Sequence, residues 1–380
     1  MSTLRAIKPA LPYPAVPVAV PVARPLLPTA DMVLPYLQGI DEQRWYSNWG
    51  PLLIAFEARL KARLAPQDHL TTVANATQGL ALTLTALGLP TGSLVALPSW
   101  TFVATAHAVL QAGLTPWFLD VDEDSWSLTT DILGQALKHA PGPVSAAIAV
   151  APFGRPLDYA VWTEFSRTEG LPVVIDAAAA FDTVHDASLP TVVSLHATKV
   201  LGVGEGGFVA CSDEALVERL RGLTSYGFKG SRESQYPATN AKLSEYAAAV
   251  GMASLDIWPT TRMRFGLVAQ GLRIALSATP EVRFQPGWGS HWVSSVCMVQ
   301  LPDGAADRVE RSLSLEGVGT RRWWSGGCHD HPAFAGLPRT DLAVTRALAR
   351  STLGLPYALD MHGRTINRIA DAVSRAVRAG

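Results

Sequence analysis

Residues 194–207 read SLHATKVLGVGEGG, and the fold is read outward from them. A short apolar run (Val192, Val193, Leu195) leads to a single lysine, Lys199, and then to a glycine-dense loop. Lysine beside a buried strand end is a poor structural choice, because its ammonium is costly to desolvate. The cost becomes useful if the amine sheds its proton and forms a Schiff base with an aldehyde. Upstream, residues 171–180 read LPVVIDAAAA, where Asp176 closes an apolar, β-branched run. A salt bridge between these two residues is the structural explanation. The chemical one is a site for pyridoxal 5'-phosphate (PLP): the lysine binds the aldehyde, and the carboxylate keeps the pyridine nitrogen protonated so that the ring accepts electrons.

The glycines invite a different reading. Gly202-Val203-Gly204-Glu205-Gly206-Gly207 matches G-x-G-x-x-G. A dinucleotide fingerprint, however, follows a strand and opens a helix. Here Gly207 leads into Phe208-Val209-Ala210, which is strand-like. The run is therefore expected to let backbone pass close to a bulky ligand.

Strand and helix patterns alternate before this stretch. Strands are expected at Leu94–Leu97, Pro116–Val121, Ser145–Pro152 and Pro172–Ile175, with helices at 52–64, Thr77–Leu87, Ala104–Ala112 and Tyr159–Glu169. Such alternation predicts an α/β fold whose mostly parallel sheet is sandwiched by helices. Ligands in such sheets bind at the C-terminal ends of the strands. Asn75–Thr77, Trp100 and Asp176 all lie just past predicted strand ends, so they can converge. Asn75-Ala76-Thr77 also reads as a helix start, either a simple N-cap or a phosphate site. Pro259 marks a hinge, which divides the chain into a Pro-rich N-terminal arm (1–30), a large domain (31–257) and a smaller C-terminal α+β domain (258–380).

The totals narrow the class. With 48% hydrophobic and 17% charged residues the 380-residue chain is globular. Thirty-one basic residues against 32 acidic ones leave no field favouring nucleic acid. Three scattered cysteines (Cys211, Cys297, Cys328) make no disulfide framework and fit a reducing cytoplasm. No stretch reaches the roughly 18 apolar residues of a membrane span. Prolines at 9, 12, 14, 17, 21, 25 and 28 break any signal-peptide core.

Five ordered blocks carry a family resemblance: PSWTFVATAHAVLQAGLTPWFLDVD (98–122), FGRPLD (153–158), LPVVIDAAAAF (171–181), SLHATKVLGVGEGG (194–207) and NAKLSEYAAAVG (240–251). From about Leu34 to Ile257 the chain resembles the DegT/StrS family of PLP-dependent nucleotide-sugar aminotransferases, of the aspartate aminotransferase fold type I. The resemblance implies that Lys199 is the Schiff-base lysine and proton shuttle, and that Asp176 is the pyridinium partner. It puts the aromatic ring stacked on the cofactor at Trp100, and phosphate ligands at Thr77, Gln78 and Ser194. Asn240 falls where the family sends an asparagine to the phosphate of the partner subunit, which implies a homodimer with shared active sites. Ala179 stands where the family has Gln or His near the cofactor, and Lys242 stands where Arg is common. The implied substrates are a nucleotide-linked keto-deoxysugar and an amino-acid donor, L-glutamate. Trp323, Trp324, His329 and His331 are candidates for a sugar site, with core packing the alternative for the tryptophans. A lyase using Cys328 as sulfur acceptor, and a PLP-binding relative without turnover, are the competing functions.

Overall fold

The computed structural model describes residues 20–379. The part of the expected N-terminal arm before residue 20 lies outside the described residues. Seven strands make the large sheet: β1 (His69–Val73), β2 (Leu94–Pro98), β3 (Thr115–Leu119), β4 (Val144–Val150), β5 (Val173–Asp176), β6 (Thr191–Ser194) and β7 (Gly207–Cys211). Their order is β1-β7-β6-β5-β4-β2-β3. Only β7 runs against its neighbours, so the expected mostly parallel sheet is present.

The strands are apolar runs because both faces are covered. Side chains alternate across the pleat into two cores. Ala147, Ala149, Val173 and Ile175 enter one of them, and Ala146, Ile148, Val150 and Val174 enter the other. With neither face wetted, polar residues are pushed to the strand ends, which is where the functional side chains stand.

A second sheet holds β8 (Arg283–Phe284), β9 (Cys297–Gln300) and β10 (Thr352–Leu355) in the antiparallel order β10-β9-β8. The helices Trp258–Ala275, Ala306–Leu315 and Gly363–Arg378 supply Leu272, Leu313, Ile369 and Val373 to its core. Ile257 alone separates the helix Glu245–Asp256 from Trp258–Ala275. The extended segment from Val20 is held by this second layer: Val20 N donates to Gly317 O at 3.1 Å, and Tyr357 N to Val22 O at 3.1 Å.

The sequence reading leaves out the helices Ala30–Gln43, Thr130–Leu137 and Ala343–Ser351, and strand β10. Ala30–Gln43 carries Pro35 in its interior, normally a breaker. The helix persists because Val33 and Ile40 pack against Ala249 and Ala253.

Candidate active site

Gly207 explains how one corner is assembled. It opens β7 and is registered against Ser194 on one side and Val73 on the other. A Cβ there would stand 2.9 Å from Val193 O and 3.0 Å from Ala76 N, so only glycine lets the strands and the following helix close up. The helix Ala76–Ala86 begins at this point. Asn75 caps it: Oδ1 accepts from Gln78 N at 2.9 Å, and its carbonyl accepts from Gly79 N at 3.0 Å. Among the described residues, the amides of Ala76 and Thr77 donate to no protein group. Two free amides at a helix N-terminus, beside the Ser194 hydroxyl, form an anion cradle. The Gln78 side chain turns away to Gln111 Oε1 at 3.3 Å, so its backbone belongs to the cap and its amide group does not face the cradle.

Asp176 ends β5, one strand from β6. It is 5% exposed. Its Oδ2 accepts from Thr105 Oγ1 at 2.8 Å and its Oδ1 from Ala178 N at 3.1 Å. Burial raises its pKa; the Thr105 and Ala178 hydrogen bonds and the charge of Lys199 oppose that rise. Lys199 follows β6 and is half-buried. The protein packed around its amine pulls its pKa down, against the pull of Asp176. The two groups feel each other, yet among the described residues no ion pair within 4.0 Å joins them. The salt-bridge explanation of the pair therefore fails. A desolvated amine near a fixed carboxylate suits an aldehyde cofactor bonded to one and held by the other.

The glycine run closes a hairpin. Ala197 N donates to Gly204 O at 2.7 Å and Leu195 N to Gly206 O at 2.9 Å. Strand β7 follows rather than a helix, which removes the dinucleotide reading.

Trp100, past β2, is 2% exposed and meets Phe153 and Trp324 edge-on, at 6.5 and 5.4 Å between ring centroids. Phe153 and Trp324 stack at 3.8 Å. Phe153 holds φ at +55°, which costs a β-carbon residue about 1–2 kcal/mol. Ser294 Oγ donates to its carbonyl at 2.6 Å. Trp324 packs in this cluster while staying partly buried, and the Trp323 ring, also partly buried, meets the Arg321 guanidinium at 4.8 Å. Next to this wall Gly154 (φ +99°) presses on the Ala179 carbonyl, 2.6 Å from a would-be Cβ. Ala179 therefore brings backbone, and no side-chain donor, to the site.

Asn240 is exposed, and its Oδ1 accepts from Lys242 Nζ at 2.6 Å. Among the described residues, no side-chain hydrogen bond ties it to the Lys199 corner of its own chain. Cys328 is fully buried, with its thiol pushed up to about 12 by desolvation, the opposite of an activated sulfur acceptor. Two residues escaped the sequence reading. Thr105 sits on Asp176, and Ser99 Oγ lies 2.8 Å from His329 Nδ1, tying the 321–334 loop to the end of β2. Neither a threonine inside an Ala-rich helical stretch nor a lone serine past a strand gives a local signal of its role.

A doubly covered, mostly parallel sheet with lysine and aspartate at its C-terminal edge defines a PLP-dependent enzyme of fold type I. The chain belongs to the DegT/DnrJ/EryC1/StrS aminotransferase family, whose model matches residues 30–374. It is 32% identical over 353 residues to the erythromycin biosynthesis sensory transduction protein EryC1 of Saccharopolyspora erythraea, covering 88% of this chain and 92% of that one. It is 26% identical to the dTDP-4-amino-4,6-dideoxy-D-glucose transaminase of Escherichia coli, over 92% of this chain and 96% of that one. The structure of DesI in the presence of its TDP-sugar product superposes with a TM-score of 0.85 at 33% identity, covering 95% of this chain and 93% of that one.

Proposed function

We propose that this enzyme transfers an amino group from L-glutamate to the keto carbon of a nucleotide-linked deoxysugar. The observation that carries the reading is the Asp176–Lys199 pair: a buried carboxylate and a half-buried amine, electrostatically coupled and, among the described residues, without an ion pair. When bound, PLP supplies an electron sink for the pair left behind as the donor's Cα–H bond breaks. The chain's own groups do the rest. Burial lowers the pKa of Lys199 and so favours its neutral amine, and Nζ is the base that would take the Cα proton and return it two bonds away. With PLP bound, the Asp176 carboxylate would keep the ring nitrogen protonated and so favour the electron-rich transition state. The amides of Ala76 and Thr77 with the Ser194 hydroxyl would hold the phosphate, and Trp100 would lie beside the ring.

The sugar class is supported by the TDP-sugar relative and the dTDP-aminosugar transaminase. A homodimer with Asn240 crossing to the partner is supported by its exposure and by the half-exposed Tyr46–Tyr246 stack at 6.1 Å. Three free, buried cysteines support a cytoplasmic setting. We assign residues 31–257 as the cofactor-binding unit and 258–380 as the smaller domain, with 1–30 as an arm. The test runs the reaction backwards, with dTDP- and UDP-linked amino sugars and 2-oxoglutarate on the PLP-loaded chain. Glutamate should form with at least one sugar. A cofactor-loaded enzyme that makes glutamate from simple amino acids and from no nucleotide sugar contradicts the assignment.

A further inference from the structure

Thr105 is the third residue of the helix Val103–Gln111 and is 1% exposed. Buried threonines within helices usually turn the hydroxyl back to the carbonyl four residues earlier. Buried Thr83 does this here, at 2.7 Å to Gly79 O, as does exposed Thr85, at 2.9 Å to Ala81 O. Thr105 does not. Its Oγ1 reaches Asp176 Oδ2 at 2.8 Å, and the group it meets four residues back is the Thr101 hydroxyl, also at 2.8 Å. Thr101 is 2% exposed, so all three members of the chain Thr101–Thr105–Asp176 are out of water.

The direction of the hydrogens follows from the inventory of donors. An ionised carboxylate can only accept, and the amide of Ala178 already donates to Oδ1. With Asp176 ionised, Thr105 must donate to Oδ2 and accept the Thr101 proton in turn. With Asp176 protonated, Oδ1 still faces an N–H, so the acid proton would sit on Oδ2 and the two hydroxyls would reverse. In the ionised arrangement both Thr105 and Ala178 donate to the carboxylate, so the chain favours the ionised state against the burial that opposes it. Polarisation along such a chain strengthens each bond in it.

We propose that Thr105, backed by Thr101, is a positioning residue that holds the Asp176 carboxylate ionised and fixed in orientation toward the cofactor's ring nitrogen. The inference rests on the reading of Asp176 given above. Thr101 directly follows Trp100, and Ser99 is bonded to His329, so three consecutive residues after β2 link the aromatic wall, the 321–334 loop and, through Thr105, the carboxylate.

The test compares Thr105→Val, Thr105→Ser, Thr101→Val and Asp176→Asn in the full, PLP-loaded chain. The readouts are the PLP dissociation constant and the pH midpoint of the visible absorbance of the lysine-bound cofactor. Thr105→Val is expected to bind PLP roughly 10- to 100-fold more weakly, the range of a hydrogen bond to a charged group. Its midpoint should move in the same direction as that of Asp176→Asn. Thr105→Ser should restore both readouts, and Thr101→Val should show a smaller shift in the same sense. Wild-type values in Thr105→Val, or a Thr105→Ser chain as damaged as the valine one, overturn the proposal. If Thr105→Val does not fold, an unmoved midpoint in Thr101→Val overturns it instead. Wild-type behaviour of Asp176→Asn removes the reading of Asp176 itself, a different failure.

Discussion

Glu245 and Asp176 are both carboxylates almost out of water, 1% and 5% exposed, and each accepts two hydrogen bonds from its own chain. The donors to Glu245 are the amides of Leu52 and Leu53, in the first turn of the helix Pro51–Lys61. A negative charge there meets the positive end of the helix dipole and caps orphan N–H groups. The charge of Glu245 is used up in joining that helix to Glu245–Asp256. Asp176 differs in its surroundings. One donor is a hydroxyl that can turn, and a lysine with a lowered pKa lies near enough to be felt without pairing. A buried charge satisfied by rigid amides builds structure, whereas one left facing an unpaired amine is available for chemistry.

Substitutions should separate the two regions. Lys199→Ala is the largest perturbation, with turnover expected to fall roughly 10²- to 10⁴-fold from loss of the proton-transfer group. A steady-state assay on the folded, PLP-supplied variant checks it, and intact turnover contradicts the role. Asp176→Asn should come next, with turnover down roughly 10- to 100-fold and fold retained. Glu245→Gln should do the reverse: activity close to normal at low temperature, and stability in urea lower by about 1–3 kcal/mol. Matching profiles for these two variants would erase the distinction between the regions.

Gly207→Ala sharpens the comparison at the phosphate corner. The added methyl must displace Val193 O or Ala76 N, so about 1–3 kcal/mol of stability should go, together with part of the PLP affinity. Cofactor titration alongside urea unfolding measures both. The smallest effect is expected at Cys328. With the thiol buried and pushed up to about 12, iodoacetamide at neutral pH should leave it unmodified and activity unchanged, as read by intact mass and assay.

Most of this was legible in local sequence. Trp100 follows a short apolar strand, Asp176 and Ser194 end two more, and a parallel sheet forces those ends to one edge; β1, HLTTV, before Asn75 has no such apolar signal. What escaped has non-local causes. The helix Ala343–Ser351 is capped by Asp120, whose carboxylate accepts from Val344 N and Thr345 N, both at 2.8 Å, across more than two hundred residues. Strand β10 becomes a strand only by pairing with β9. Thr105 looks like any helical threonine until the sheet brings Asp176 to it. The separation of Lys199 from Asp176 also needed coordinates, because adjacency at a sheet edge fits an ion pair and a cofactor slot equally well.

The most direct measurement is an absorbance spectrum of the PLP-loaded protein before and after L-glutamate. The visible band of lysine-bound cofactor should collapse into the near-ultraviolet band of its aminated form, in wild type and not in Lys199→Ala. A chain that shows no visible band once PLP is supplied contradicts the assignment of the Asp176–Lys199 corner at its root.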